Sequence, residues 1–226
     1  MFKLKYVCTV LLICVLTMSF RMPTSLKLAL VKYNGGGDWY SVVDALQNLA
    51  KFCNNNLNMA FDPAYETVEI GSVDIYNYPF LFLTGHGNIV LSNQEAENVR
   101  NYLLAGGFLF IDDDYGMDEF VKLAIKKIFP DKALVEIPYE HPIFNQKYKF
   151  PNGMPKIHEH NAKPPITYGI ILDGRIALLY AAESNISDGW ESPDVHKDTE
   201  EKRQQSLRMG ANIIQYAFGG ISGISK

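Results

Sequence analysis

The sequence predicts a layered α/β domain, a mainly parallel sheet with helices on both faces. Two short apolar runs, Phe80 to Leu83 and Phe108 to Ile111, stop abruptly at Thr84-Gly85-His86-Gly87 and at Asp112-Asp113-Asp114-Tyr115-Gly116. Buried parallel strands end this way where they leave the core of an α/β sheet. Strand-like and helix-like segments alternate along the chain. Its 226 residues, 47% apolar and 20% charged, suffice to cover one sheet and define a single domain.

The amino terminus stands apart from that domain. Lys3 and Lys5 precede the uncharged run Tyr6 to Phe20, which Arg21 closes. A basic start and an apolar run shorter than the ~20 residues of a membrane span read as an export signal. Thr17 and Ser19 place small residues for cleavage after Ser19. The expectation is a signal peptide over 1–19 and a domain over 20–226, exported to the periplasm or cell envelope, with no membrane span after cleavage; an uncleaved anchor is the alternative. Cys8 and Cys14 leave with the signal, so Cys53 has no intramolecular disulfide partner. Loss of two lysines and no acids moves the formal charge from −4 to −6. No basic stripe remains for nucleic acid.

Leu26 to Tyr33 alternates toward a first strand, Asn34 to Trp39 breaks it, and Ser41 to Phe52 has near-helical spacing. The stretch from 54 to 77 is irregular around a short strand at Thr67 to Ile70. After the Phe80 strand, Ser92-Asn-Gln-Glu95 is a capping box that opens a helix with Ala96, Val99 and Leu103 inward, ended at Gly106. Strand Phe108 to Asp112 follows, then a helix from Met117 to Phe129 stopped by Pro130, then a strand at Ala133 to Ile137. Asp173-Gly174 between the runs Thr167 to Leu172 and Arg175 to Tyr180 signals a hairpin. A last helix starts at the capping arrangement Asp198-Thr-Glu-Glu201 and runs to Phe218.

Open α/β sheets keep their ligand sites beyond the carboxyl ends of strands, which singles out His86 and the aspartate run. Along an extended strand Asp112 and Asp114 point to one side and Asp113 to the other. They are candidate bases, hydroxyl acceptors or ligands for a hard metal; the structural alternative has one of them cap the helix near Met117 and another simply solvated. His86, between two glycines, is a candidate acid, base or ligand, unless the glycines alone matter to a tight turn. His158 and His160, two apart, share a face of an extended segment and form a candidate pair for a divalent metal, with a third ligand from His86, His141 or an aspartate. Glu159 and Asp114 join the ligand-binding candidates. Gly36, in Gly35-Gly36-Gly37, is placed to offer backbone amides to an anion, although neither a dinucleotide fingerprint nor a P-loop is present. Trp190 lies in the polar segment Ser184 to Glu191, where an aromatic face serves a sugar ring or a protein partner, or pins the loop; Trp39 carries the same two readings.

The combination Tyr78-Pro-Phe80, Thr84 to Gly87, Gly106 to Gly116, His141-Pro-Ile-Phe144, Lys156-Ile-His-Glu-His160 and Gly189-Trp-Glu191 resembles the uncharacterised bacterial family known as domain of unknown function 4159, from about Leu26 to Phe218. The resemblance implies a class I glutamine amidotransferase-like (flavodoxin-like) fold related to the trehalose-utilisation group, with some members exported or joined to membrane-anchored modules, and it implies no established activity. True glutamine amidotransferases carry a nucleophilic cysteine after the corresponding strand. Here that stretch reads Ile111-Asp112-Asp113-Asp114, and Cys53 lies in the first helix, which argues against a cysteine glutaminase.

The reading that emerges is an exported domain whose strand-end pocket, lined by His86, Asp112, Asp113, His158 and His160, binds a polar ligand such as a carbohydrate or envelope fragment. If it is an enzyme, hydrolysis is expected, with His86 or Asp113 activating water and His158, His160 and Asp112 holding a metal or the substrate. The alternative is a non-catalytic interaction module of a cell-envelope assembly, docked through Trp39 or Trp190.

Overall fold

The computed structural model describes residues 26–160 and 162–219; the expected signal segment lies outside them. The strands are β1 (Ala29–Lys32), β2 (Glu66–Glu69), β3 (Phe80–Leu83), β4 (Phe108–Asp112), β5 (Val135–Glu136), β6 (Ile166–Leu172) and β7 (Arg175–Ala182). The helices are α1 (Ala45–Leu57), α2 (Asn93–Leu104), α3 (Asp118–Ile128), the short α4 (Pro193–His196) and α5 (Glu200–Gly219). The strands form one sheet in the order β2-β1-β3-β4-β7-β6-β5. Pairings from β2 through β7 are parallel; β6 and β5 continue the sheet antiparallel. Among the described residues no helix is long and apolar enough to cross a membrane.

Alternation along the central strands divides the interior in two. Leu28, Leu30, Phe80, Phe82, Phe108 and Phe110 face α1 and α5. Ala29, Val31, Leu81, Leu83, Leu109 and Ile111 face α2 and α3. Burial on both faces explains why these strands read as unbroken apolar runs. Phe80 stacks on Phe108 and Phe82 on Phe110 at ring separations of 5.7 and 5.8 Å, tying β3 to β4.

The capping box forms as expected: Ser92 Oγ accepts from the Glu95 amide and Glu95 Oε2 accepts from the Ser92 amide. At the other end of α2, Gly106 takes φ +101°, and a Cβ on Gly107 would lie 2.2 Å from the Tyr102 ring. The tyrosine hydroxyl donates to Tyr78 O and accepts from the Phe108 amide, so the Gly-Gly pair lets Tyr102 seal the start of β4. Asp173 and Gly174 both have positive φ and close the β6–β7 hairpin. The first helix starts later and runs further than its spacing suggested, because residues 34–44 form a loop that reaches over the sheet edge.

Candidate functional site

The carboxyl ends of β1, β3, β4 and β7 meet at one edge of the sheet, and the chain there carries most of its histidines. A cavity of about 240 Å³ is lined by Ser41, Val42, His86, Asp114, His158, His160, Asp188, Glu191 and His196. Four of the five histidines of the chain thus share one hollow. The fifth, His141, caps the 3-10 turn Pro142–Asn145 and packs on Tyr216.

His86 is fixed by Asp38 from the loop after β1. Asp38 Oδ1 accepts from the His86 amide at 2.5 Å, and both carboxylate oxygens lie 3.1 Å from Nδ1. Gly85 makes this approach feasible: at φ +137°, a Cβ there would be 2.6 Å from the Tyr33 hydroxyl and 3.0 Å from the Asp38 backbone. With Nδ1–H donating to a carboxylate, Nε2 carries the lone pair. Asp114 Oδ2 stands 3.4 Å from the same Nδ1. Burial and the neighbouring Asp188 carboxylate hold the Asp114 carboxyl well above the usual range.

On the opposite wall, His158 Nδ1 lies 2.6 Å from Asp188 Oδ2 and its Nε2 3.2 Å from Asp198 Oδ1. The hydrogen bond to Asp188 keeps His158 protonated above its ordinary pH, against the opposing effect of burial. His196 Nε2 is 2.6 Å from Glu191 Oε2 and 3.6 Å from Asp188 Oδ1, and Glu191 Oε1 accepts from the Val43 amide. His158, Asp188 and His196 offer donor atoms all within 4.8 Å of one another, a spacing that a metal ion can bridge. His160 lines the cavity but stands outside this trio, its ring 4.5 Å from that of Tyr115.

The aspartate run divides as strand geometry requires. Asp112 is fully buried beneath Ser187, whose amide and hydroxyl both donate to Oδ2 at 2.7 Å. It does not line the cavity, which corrects its expected catalytic role. Asp113 points to the other face, where Oδ1 accepts from the Met117 amide ahead of α3 and Oδ2 accepts from the Tyr180 hydroxyl. Of the three, Asp114 alone reaches the histidines.

Three further expectations are corrected. Trp190 is sealed in the core at 0% exposure against Phe82 and Phe110, with Nε1–H donating to Ser206 O, so it presents no face to a ligand or partner. Glu159 points outward at 71% side-chain exposure and pairs with Lys156. Gly36 is exposed with open space around it and does not line the cavity. Sequence reading missed Asp38, Asp188, Glu191, His196 and Asp198. The available signal was the carboxylates flanking Trp190, a dense polar cluster directly after an apolar strand.

Cys53 is buried in α1, with its thiol pushed up to about 12 by burial, and it faces the core rather than the cavity. The family described as domain of unknown function (DUF4159) matches residues 27–218. No curated protein matches the chain.

Proposed function

From the premise that the chain belongs to this family of unknown function, we propose that the cavity binds a small polar ligand and hydrolyses it with His86 and Asp38 as the acid–base pair. One observation carries the reading: a carboxylate-anchored histidine opens onto a hollow at the carboxyl edge of a parallel sheet. Asp38 orients the ring and stabilises the imidazolium that forms when Nε2 takes a proton from water. The hydroxide attacks the electrophilic carbon, and the imidazolium returns the proton to the leaving group.

The order β2-β1-β3-β4 with β7 next supports the flavodoxin-like arrangement, in which the switch point between β1 and β3 receives the ligand. Asp38 and His86 sit on the two loops flanking that point. Among the described residues no lysine or arginine lines the cavity, and Asp114, Asp188 and Glu191 do. That balance disfavours phosphate and carboxylate substrates and favours neutral polar ones, such as carbohydrate or envelope fragments. The basic and apolar start of the sequence supports an exported setting for this chemistry.

The test is a panel of chromogenic glycosides, esters and amides offered to the wild type, His86→Gln and Asp38→Asn. The expected result is turnover of one class, reduced by roughly 100-fold or more in His86→Gln. Absence of turnover across all classes, or full activity in both variants, overturns the hydrolytic reading.

A further inference from the structure

We propose that His158, Asp188 and His196 form a binding site for one divalent first-row transition metal of the zinc type. The proposal stands on its own donors and does not depend on the hydrolytic reading.

The three ligands come from three separate segments. His158 lies in the loop before β6, Asp188 in the 3-10 turn Ile186–Trp190 after β7, and His196 at the end of α4. Nothing in helix or strand periodicity requires them to converge, yet their donor atoms fall within 4.8 Å of one another. The His158 and His196 rings stand edge to face at 4.9 Å.

A metal site also needs a second layer that orients its imidazoles, and His158 has one. Asp198 Oδ1 holds His158 at Nε2, leaving Nδ1 toward Asp188. Glu191, itself fixed by the Val43 amide, lies 2.6 Å from His196 Nε2, the same nitrogen that faces Asp188, so this contact has to give way when Nε2 turns its lone pair to the ion. The second oxygen of Asp198, a side chain only 7% exposed, is buried without a hydrogen-bond partner, as is the hydroxyl of the cavity-lining Ser41. Unmet polar capacity beside a histidine cluster fits a site built for a ligand that it binds.

Donor type selects the ion. Two imidazoles and a carboxylate suit zinc and its neighbours, whereas calcium and magnesium prefer oxygen-only shells. With bonds of about 2.0–2.1 Å a tetrahedral site has ligand-to-ligand edges of roughly 3.4 Å. The 3.6 Å from His196 Nε2 to Asp188 Oδ1 matches that edge. The 2.6 Å from His158 Nδ1 is to the other oxygen, Asp188 Oδ2, and is a hydrogen-bond length; metal entry has to replace that hydrogen bond. Three protein ligands facing a hollow leave the fourth position open to water or substrate. His160, which the two-residue spacing pairs with His158, packs its ring at a tilt against Tyr115 instead.

The experiment uses the untagged full chain, stripped of metal and titrated with Zn²⁺ by calorimetry, with elemental analysis of the dialysed protein and the visible spectrum of its Co²⁺ form. One zinc per chain is expected, with ligand-field bands for cobalt. His196→Ala and Asp188→Ala should weaken zinc by roughly 100-fold, and the cobalt bands should vanish. His141→Ala, remote from the cavity, should keep wild-type affinity. His86→Gln should also retain zinc while losing turnover, which separates failure of the metal site from failure of the hydrolytic reading. No stoichiometric zinc in the wild type overturns the proposal. So does equal affinity in folded His196→Ala and Asp188→Ala, or loss of zinc in His160→Ala as large as in His196→Ala. Circular dichroism of each variant identifies the folded ones, and Asp188→Asn, close in shape to the parent, serves where the alanine variant does not fold.

Discussion

Asp112 is an acid without access to solvent, and its surroundings define its charge. Burial pushes its carboxyl up to about 8, against the lowering effect of the two hydrogen bonds from Ser187. In the unfolded chain an aspartate titrates near ~3.9. The native state therefore keeps a proton that the unfolded chain gives up. That contribution to stability is complete below about pH 4 and is lost as pH rises through about 8. Asparagine keeps an acceptor for Ser187 and cannot ionise. Asp112→Asn is thus expected to gain on the wild type as pH rises from 5 to about 8, at up to about 1.4 kcal/mol or roughly 3–6 °C in melting temperature per pH unit, and to be the more stable of the two at pH 9. Thermal melts across this pH range check this. A variant less stable than its parent at pH 9 would show that the native state prefers the ionised form. The contrast with Asp114, two residues on, is one of position: strand alternation puts both on the same side, but only Asp114 clears the core. Sequence alone identified that shared side and could not show where the core ends.

Helix ends behave more locally, and for that reason they were easier to read. The Ser92 and Glu95 pair needs only residues within one turn, and the structure contains both of its hydrogen bonds. Ser92→Ala is expected to cost about 1 kcal/mol, a fall of roughly 2–4 °C in melting temperature for a domain of this size, with no change in metal binding or turnover. A loss beyond ~3 kcal/mol would mean that the serine holds more than its own helix. The same logic misled at the start of α5. Asp198 has the position and chemistry of a cap, but the structure uses the Thr199 hydroxyl, which accepts from the Lys202 amide, and diverts Asp198 to His158. A capping pattern states what a side chain can do locally, and a tertiary partner with a stronger claim takes it away. α4 has only four residues, too few for periodicity, so His196 was invisible as part of an element.

At the scale of the molecule, the strands and their order positioned the pocket, and loops distant in sequence filled it. The ends of β3 and β4 were legible because an apolar run that stops is a local event. The partners of those ends were not, since Asp38, Asp188, Glu191 and His196 arrive through connections whose paths depend on the sheet order. Trp190 failed for the related reason that a short polar loop resembles a surface, whereas this one is clamped beneath α5 by the bond to Ser206. The three proposed metal ligands lie in the stretch from 158 to 196, which runs from the loop before β6, through the antiparallel hairpin, to α4. A bound ion would cross-link that loop and α4 to the end of β7, and it would bind the native state alone. Free zinc at 100 times its dissociation constant then adds about 2.7 kcal/mol, or roughly 5–10 °C in melting temperature. Asp188→Asn should abolish the rise. A rise of equal size in that variant would place the zinc elsewhere. No rise in the wild type would overturn the proposed site.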